Sequence, residues 1–216
     1  MSFSDGPVLV MMDVDSTVIE QEVIELIAAH AGVQAQVRAV TEAAMRGELD
    51  FVASLRARVA LLEGLPEGVL DEVRSAVRLT HGSVELCKTL HERGHVVALI
   101  SGGFDVIANA IGQAVGADHV RANRLEVIDG RLTGRVEGDI VDRAAKAVAL
   151  VEFAALHGIP LDRTVAVGDG ANDLDMLELA ALGIAFCAKS VVQQQANVAI
   201  NTRDLRLVLE AMDAHR

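Results

Sequence analysis

The chain has 216 residues, enough for one substantial core with a small added domain. Its 19 basic and 31 acidic residues give a formal charge of -12, which repels a polyanionic backbone, and no basic stripe with interleaved aromatics offsets it, so nucleic acid is not an expected partner. No apolar run reaches the roughly 20 residues that span a bilayer, and the N-terminal MSFSDGP lacks the basic-then-apolar layout of a secretory signal, so a cytoplasmic protein without membrane association is expected.

Residues 8–12, VLVMM, read as a buried parallel strand that stops at two carboxylates, Asp13 and Asp15, followed by Ser16 and Thr17. Side chains two apart on extended backbone point the same way, so both carboxylates can converge on one small volume. Residues 20–79 then read as helices only: EVIELIAAHAG, QVRAVTEAAMRG, DFVASLRARVALLEG with Asp50 as N-cap, and PEGVLDEVRSAVRL opened by Pro66. A helical module inserted directly after an acidic strand end is positioned to cover it as a lid.

Further on, VVALI (96–100), TVAVG (164–168), GIAFC (183–187) and NVAI (197–200) read as short buried strands. Amphipathic helices over 83–93, 104–115, 142–157, 173–182 and 203–213 separate most of them, several stopped by glycine at 94, 116, 158 and 183. Residues 123–137 alternate at period two around Asp129-Gly130, a hairpin signal. This pattern predicts an α/β fold, a doubly wound parallel sheet with an inserted helical cap domain, the core comprising 1–18 and 80–216 and the cap 19–79. Such sheets carry their sites at the carboxyl ends of strands, where the second acidic cluster, Asp169 and Asp173 in TVAVGDGANDLDM, also falls. Cys87 and Cys187 lie 100 residues apart without metal-ligand spacing and read as buried free thiols.

Asp13, Asp15, Ser101, Lys146 and Asp169 together form a phosphoryl-transfer set. Mg2+ takes oxygen ligands and keeps waters, so Asp13, a backbone carbonyl at Asp15, and Asp169 could supply the protein's share. Asp13 could attack phosphorus to form an aspartyl phosphate, with Asp15 protonating the leaving alkoxide and then activating water. Ser101, Gly102 and Gly103 offer a hydroxyl and bare amides to phosphoryl oxygens, and Lys146 a positive charge. Singly, each residue has an ordinary explanation: a strand-end Asp caps a turn, SGG is a tight turn, a helical lysine is solvated. Their joint order is hard to produce for structural reasons alone.

On DVDST (13–17), SGGF (101–104), Lys146 and GDGAND (168–173), the chain resembles the haloacid dehalogenase superfamily and, within it, the phosphoserine phosphatases. The likeness extends to the cap segment EAAMRGELDFVASLRARVALL, the hairpin ANRLEVIDGRLTGRVEG and IAFCAK, and so covers nearly the whole chain. It implies a Rossmann-like core, and Mg2+-dependent hydrolysis of O-phospho-L-serine to serine and phosphate as the last step of serine biosynthesis. Carried over residue by residue, it implies Asp13 as nucleophile and Asp15 as acid/base, with phosphate held by Ser101, Gly102 and Lys146. The metal would rest on Asp13, Asp15 and Asp169, and Asn172 and Asp173 would complete the fourth motif around phosphate and metal. In the cap, Glu22, Phe51 and Arg58 match substrate-recognition positions, with Met45 beside them. Glu22 could pair the substrate ammonium and Arg58 grip its carboxylate bidentately, while Phe51 and Met45 exclude water.

The sequence departs from the family pattern at Val14, where Phe is common, and at Asp175, which replaces a frequent proline. The chain starts almost at the first strand, so no N-terminal regulatory domain of the kind some relatives carry is expected. The partner expected is a small-molecule substrate, and a homodimer is left open. The rival readings are a related capped phosphatase, a phosphotransferase passing phosphate to an alcohol such as homoserine, and a phosphoacceptor signalling module, which would have no lid of about 60 residues.

Overall fold

The structure is a computed structural model that describes Phe3 and residues 6–215; Met1, Ser2, Ser4 and Asp5 of the heptapeptide read for a secretory layout lie outside the described residues. Leu9–Asp13 forms β1, buried at every position, as its unbroken apolar run requires of a central strand. The chain turns through Val14–Val18 into α1 (Val23–His30), α2 (Gln34–Met45), α3 (Phe51–Ala60) and α4 (Val69–Ala76). Ile19 and Leu79 pair as an antiparallel bridge, with Thr80 N–H donating to the Val18 carbonyl at 2.9 Å, so the helical segment leaves and rejoins the core side by side. Asp50 caps α3 as expected, accepting from Ala53 N–H at 2.7 Å.

The rest alternates: α5 (Ser83–Glu92), β2 (Val96–Phe104), α6 (Asp105–Val115), β3 (His119–Ile128), β4 (Arg131–Glu137), α7 (Arg143–Leu156), β5 (Thr164–Gly168), α8 (Leu174–Leu179), β6 (Leu182–Phe186), α9 (Ser190–Gln193), β7 (Val198–Ile200) and α10 (Leu207–Ala214). Among the described residues the sheet has seven strands in the order β4-β3-β2-β1-β5-β6-β7. All neighbours are parallel except β3 and β4. Strand order reverses around β1, which puts a crevice at the carboxyl ends of β1, β2 and β5.

Alternation along β1 divides the core. Val10 and Met12 pack with Leu86, Ile107, Val208 and the cap residues Ile27, Leu55 and Val59. Leu9 and Met11 pack on the opposite face with Leu150, Phe153 and Met176 of α7 and α8. Among the described residues, no helix is long and apolar enough to cross a membrane.

Several sequence expectations change. Gly183 does not stop a helix: α8 ends at Leu179 and Gly183 lies inside β6, where a Cβ would come within 2.3 Å of the Leu177 carbonyl oxygen. Pro66 does not open α4, which starts at Val69; it bridges to Arg131 and ties the cap to the hairpin. The hairpin turns at Asp129-Gly130 (φ 51° and 72°) as expected, but its first strand begins at His119 and joins the main sheet beside β2. Strand β2 runs on through SGGF to Phe104 with a register shift after Ile100. Residues 203–206 stay outside α10 because the Asp204 carboxylate binds Arg206 N–H at 3.0 Å, a local bond that competes with the helix. Cys87 is buried, but Cys187 is only half-buried, at a positive-φ turn (46°) that follows β6.

Candidate active site

Asp13 ends β1, and its carboxylate meets a lysine of α7, the helix packed on the Leu9 and Met11 face of the sheet. Asp142 caps α7 through Ala145 N–H at 2.9 Å, which sets Lys146 on the first turn. The Lys146 ammonium, fully buried, donates to Asp13 Oδ1 and to Asp173 Oδ1, the latter at 2.6 Å. Burial pulls the lysine's pKa down, but the Asp13 and Asp173 charges outweigh it and hold the ammonium above the ordinary lysine range. Asp173 Oδ2 accepts from the N–H groups of Asp169 and Gly170 at 3.1 and 3.0 Å. With both oxygens bonded, Asp173 braces the loop after β5 rather than reaching into the cleft.

Carboxylate oxygens of Asp13, Asp169 and Asp173 lie within 4.8 Å of one another, all three residues buried. Burial raises Asp13 and Asp169 well above the ordinary carboxylate range, and neighbouring acids push the same way: Asp173, Asp169 and Asp15 on Asp13, and Glu22 and Asp173 on Asp169. One ammonium cannot balance this crowd, and an all-oxygen donor set suits a small hard dication. The residues present therefore fit Mg2+. The Asp173 carboxylate stands beside those of Asp13 and Asp169, while Asp15, both of whose carboxylate oxygens are engaged, keeps the backbone carbonyl that the sequence reading assigned to a metal.

Those engagements are specific. Asp15 Oδ1 accepts from Val23 N–H at 2.7 Å, and Oδ2 accepts from the Ser101 hydroxyl at 2.8 Å. Burial raises the Asp15 pKa, and these two bonds only partly offset it. The Ser101 Oγ in turn accepts from Gly103 N–H at 2.7 Å, so the hydroxyl expected to face phosphate is turned to Asp15 here. Glycine is required beside it: a Cβ at Gly103 would sit 2.6 Å from Asp15 Oδ2, and one at Gly102 would sit 2.7 Å from the Phe51 ring. Asn123, buried on β3, donates to the Gly102 carbonyl at 2.8 Å and accepts from Val141 N–H at 2.7 Å, anchoring this loop.

The helical segment closes over this floor. Asp13, Asp15, Gly102, Asp169 and Asn172 share one cleft with Glu22, Met45, Phe51 and Arg58 from above. Ser101, Lys146 and Asp173 stand directly behind its wall through the bonds described, so every residue singled out in the sequence converges here. Glu22 accepts from the Ser16 hydroxyl at 2.6 Å, and burial together with the Asp15 charge pushes its carboxyl up to about 7. Ser16 holds a left-handed conformation (φ 58°), and its carbonyl accepts from Arg203 at 2.9 Å. The Asn172 Oδ1 is buried without a partner among the described residues.

The haloacid dehalogenase-like hydrolase family model matches residues 10–178. The chain belongs to this family. A curated relative, phosphoserine phosphatase from Streptomyces coelicolor, is 58% identical over 201 residues, covering 93% of this chain and 49% of that protein. The chain thus spans about half the length of that relative. The phosphoserine phosphatase of Streptococcus thermophilus is 48% identical over 205 residues, 95% of each chain. A solved phospho-aspartyl intermediate analogue of phosphoserine phosphatase matches with a TM-score of 0.93 at 45% identity, covering 96% of this chain and 99% of that one.

Two departures from the haloacid dehalogenase pattern now have a structural account. Val14 is buried among the sheet-and-cap apolar residues, on the face away from the acids. Asp175 is half-exposed and takes Arg143 at 2.5 Å, so its charge is matched at the surface. Sequence reasoning did not single out Ile24 and Leu55, which line the cleft as apolar wall, nor Asn123. For the first two the helical apolar pattern was the only signal, and it is shared with ordinary core positions.

Proposed function

We propose that this chain is a Mg2+-dependent phosphoserine phosphatase, hydrolysing O-phospho-L-serine through an aspartyl phosphate. The observation that carries the reading is the composition of one cleft: an aspartate–lysine phosphoryl-transfer floor faces a roof that offers one arginine and one glutamate. Those two charges match the carboxylate and ammonium of an amino acid. The names of the relatives support the same substrate.

In this reading residues 19–79 act as the lid, hinged where Ile19 and Leu79 pair. Lys146 holds Asp13 Oδ1 and orients the carboxylate for attack on phosphorus. As the P–O bond to serine breaks, the leaving alkoxide takes the proton of Asp15, which its raised pKa keeps available. Asp15, now a carboxylate, takes a proton from water, whose oxygen attacks the aspartyl phosphate; inorganic phosphate leaves and Asp13 is restored. Bound Mg2+ would supply charge neutralisation between carboxylate and phosphate. Gly102, Lys146 and Asn172 supply donors to phosphoryl oxygens, and Met45 and Phe51 exclude bulk water when the lid is down.

A phosphate-release screen over small phosphomonoesters, with and without Mg2+, tests the reading. O-Phosphoserine should be the preferred substrate and chelation should stop turnover; preference for an ester without the amino-acid group would overturn it.

A further inference from the structure

Helix α2 buries Val37, Thr41, Ala44 and Met45, a stripe at helical spacing in which Thr41 is the polar member. Thr41 is 2% exposed, and its Oγ1 accepts from Arg58 Nη1 at 2.7 Å. Arg58, 3% exposed on α3, also donates from Nε to the Ser54 carbonyl one turn back, at 3.1 Å. Its Nη2 is buried with no hydrogen-bond partner among the described residues, and the residue lines the cleft. The guanidinium is thus held by neutral oxygens on two nitrogens and open on the third. Burial lowers its pKa, while Glu22, Asp15 and Glu25 attract its charge. An arginine free to move would swing toward these acids.

We infer that Thr41 is a positioning residue for substrate selectivity. It fixes Arg58 from the neighbouring cap helix, so that Nη2 stays available to an incoming carboxylate and Glu22 stays available to an ammonium. This rests on the proposed use of phosphoserine. A hydroxyl suits the task because it accepts from the guanidinium without neutralising it. A carboxylate at position 41 would satisfy Arg58 outright and compete with substrate. Valine matches threonine in shape and branching, so Thr41→Val removes the acceptor and leaves the packing of α2 in place.

The test compares kcat and KM of wild type, Thr41→Val and Thr41→Ser on O-phosphoserine and on phosphoethanolamine, which lacks the carboxylate. A bond from a charged donor corresponds to about a tenfold effect or more. Thr41→Val should therefore raise KM for O-phosphoserine by about tenfold, with a smaller change in kcat, and lower the preference for O-phosphoserine over phosphoethanolamine to match. Thr41→Ser, which keeps the hydroxyl, should retain the preference. If Thr41 serves packing alone, the order reverses: serine harms and valine is tolerated, for both esters alike. The readout is a ratio within one preparation, so partial unfolding does not imitate it, and Thr41→Ala gives the same comparison should the valine variant not accumulate. A wild type that prefers phosphoethanolamine overturns the substrate reading and this inference with it. A wild type that prefers phosphoserine, with a Thr41→Val variant that keeps the preference, overturns this inference alone.

Discussion

Lys146 and Asp173 meet at 2.6 Å with both side chains fully withdrawn from solvent. The pair joins the first turn of α7 to the loop after β5, and the same ammonium reaches Asp13 at the end of β1. Removing one member of a buried pair leaves the other charge uncompensated, at a cost of about 3 to 5 kcal/mol. Lys146→Met should therefore shift the urea unfolding midpoint sharply downward as well as abolish phosphatase activity. An unchanged midpoint would mean that the carboxylates simply take up protons when the lysine is lost.

Asp13→Asn should fold and release no phosphate above background, because an amide cannot form the acyl phosphate. Substantial turnover by the folded variant would exclude Asp13 as nucleophile.

Asp15→Asn should depend on the leaving group. Hydrolysis of O-phosphoserine should fall by about 10²- to 10⁴-fold, the usual contribution of a general acid, while p-nitrophenyl phosphate, which needs little protonation, should lose less in the first transfer step. Burst-phase measurement of nitrophenol separates that step from hydrolysis of the intermediate. Equal losses on both esters would argue against an acid role.

The raised carboxyls predict how stability depends on pH. Glu22, ordinarily near 4.5, is held at about 7 in the fold, and Asp13, Asp15 and Asp169 are raised as well. Between the unfolded and folded pKa values the native state binds more protons, so its stability falls as pH rises through that window, for Glu22 from 4.5 to about 7. The chelated protein should accordingly melt at a higher temperature at pH 5.5 than at pH 8, and Glu22→Gln should narrow the gap. Added Mg2+ binds the ionised carboxylates and should raise the melting temperature more at pH 8 than at pH 5.5. Thermal unfolding with and without chelator at both pH values checks each statement.

Arg58→Ala should weaken O-phosphoserine use strongly. Losing one partner of a desolvated ion pair costs about 2 to 5 kcal/mol, or roughly thirtyfold and more in kcat/KM. Phosphoethanolamine should be affected much less. Glu22→Gln should act through the ammonium, with 3-phosphopropionate, which lacks that group, as the insensitive comparison. Uniform losses across these esters would place both residues in lid folding or closure instead.

Local features of this protein were legible in the chain itself. The apolar run ending at Asp13, the Asp50 cap and the Asp129-Gly130 turn each depend on residues only a few positions apart, whose backbone preferences and hydrogen bonds need no distant partner. The order of acidic strand end, hydroxyl strand end, lysine and second acidic strand end pointed to phosphoryl-transfer chemistry, the basis of the proposed function. Pairings across long separations were decided by the tertiary structure. The sequence of α7 reads the same whether Lys146 is solvated or buried, and only the packing of α7 under β1 delivers it to a carboxylate 133 positions away. Arg58 has the local pattern of a surface arginine until α2 lies across it and supplies Thr41. Gly183 looks like a helix stop until β6 passes the Leu177 carbonyl too closely for any side chain, and β3 looks like half of an isolated hairpin until its first residues pair with β2. In each case the deciding interaction is made with atoms that a short window of sequence does not contain.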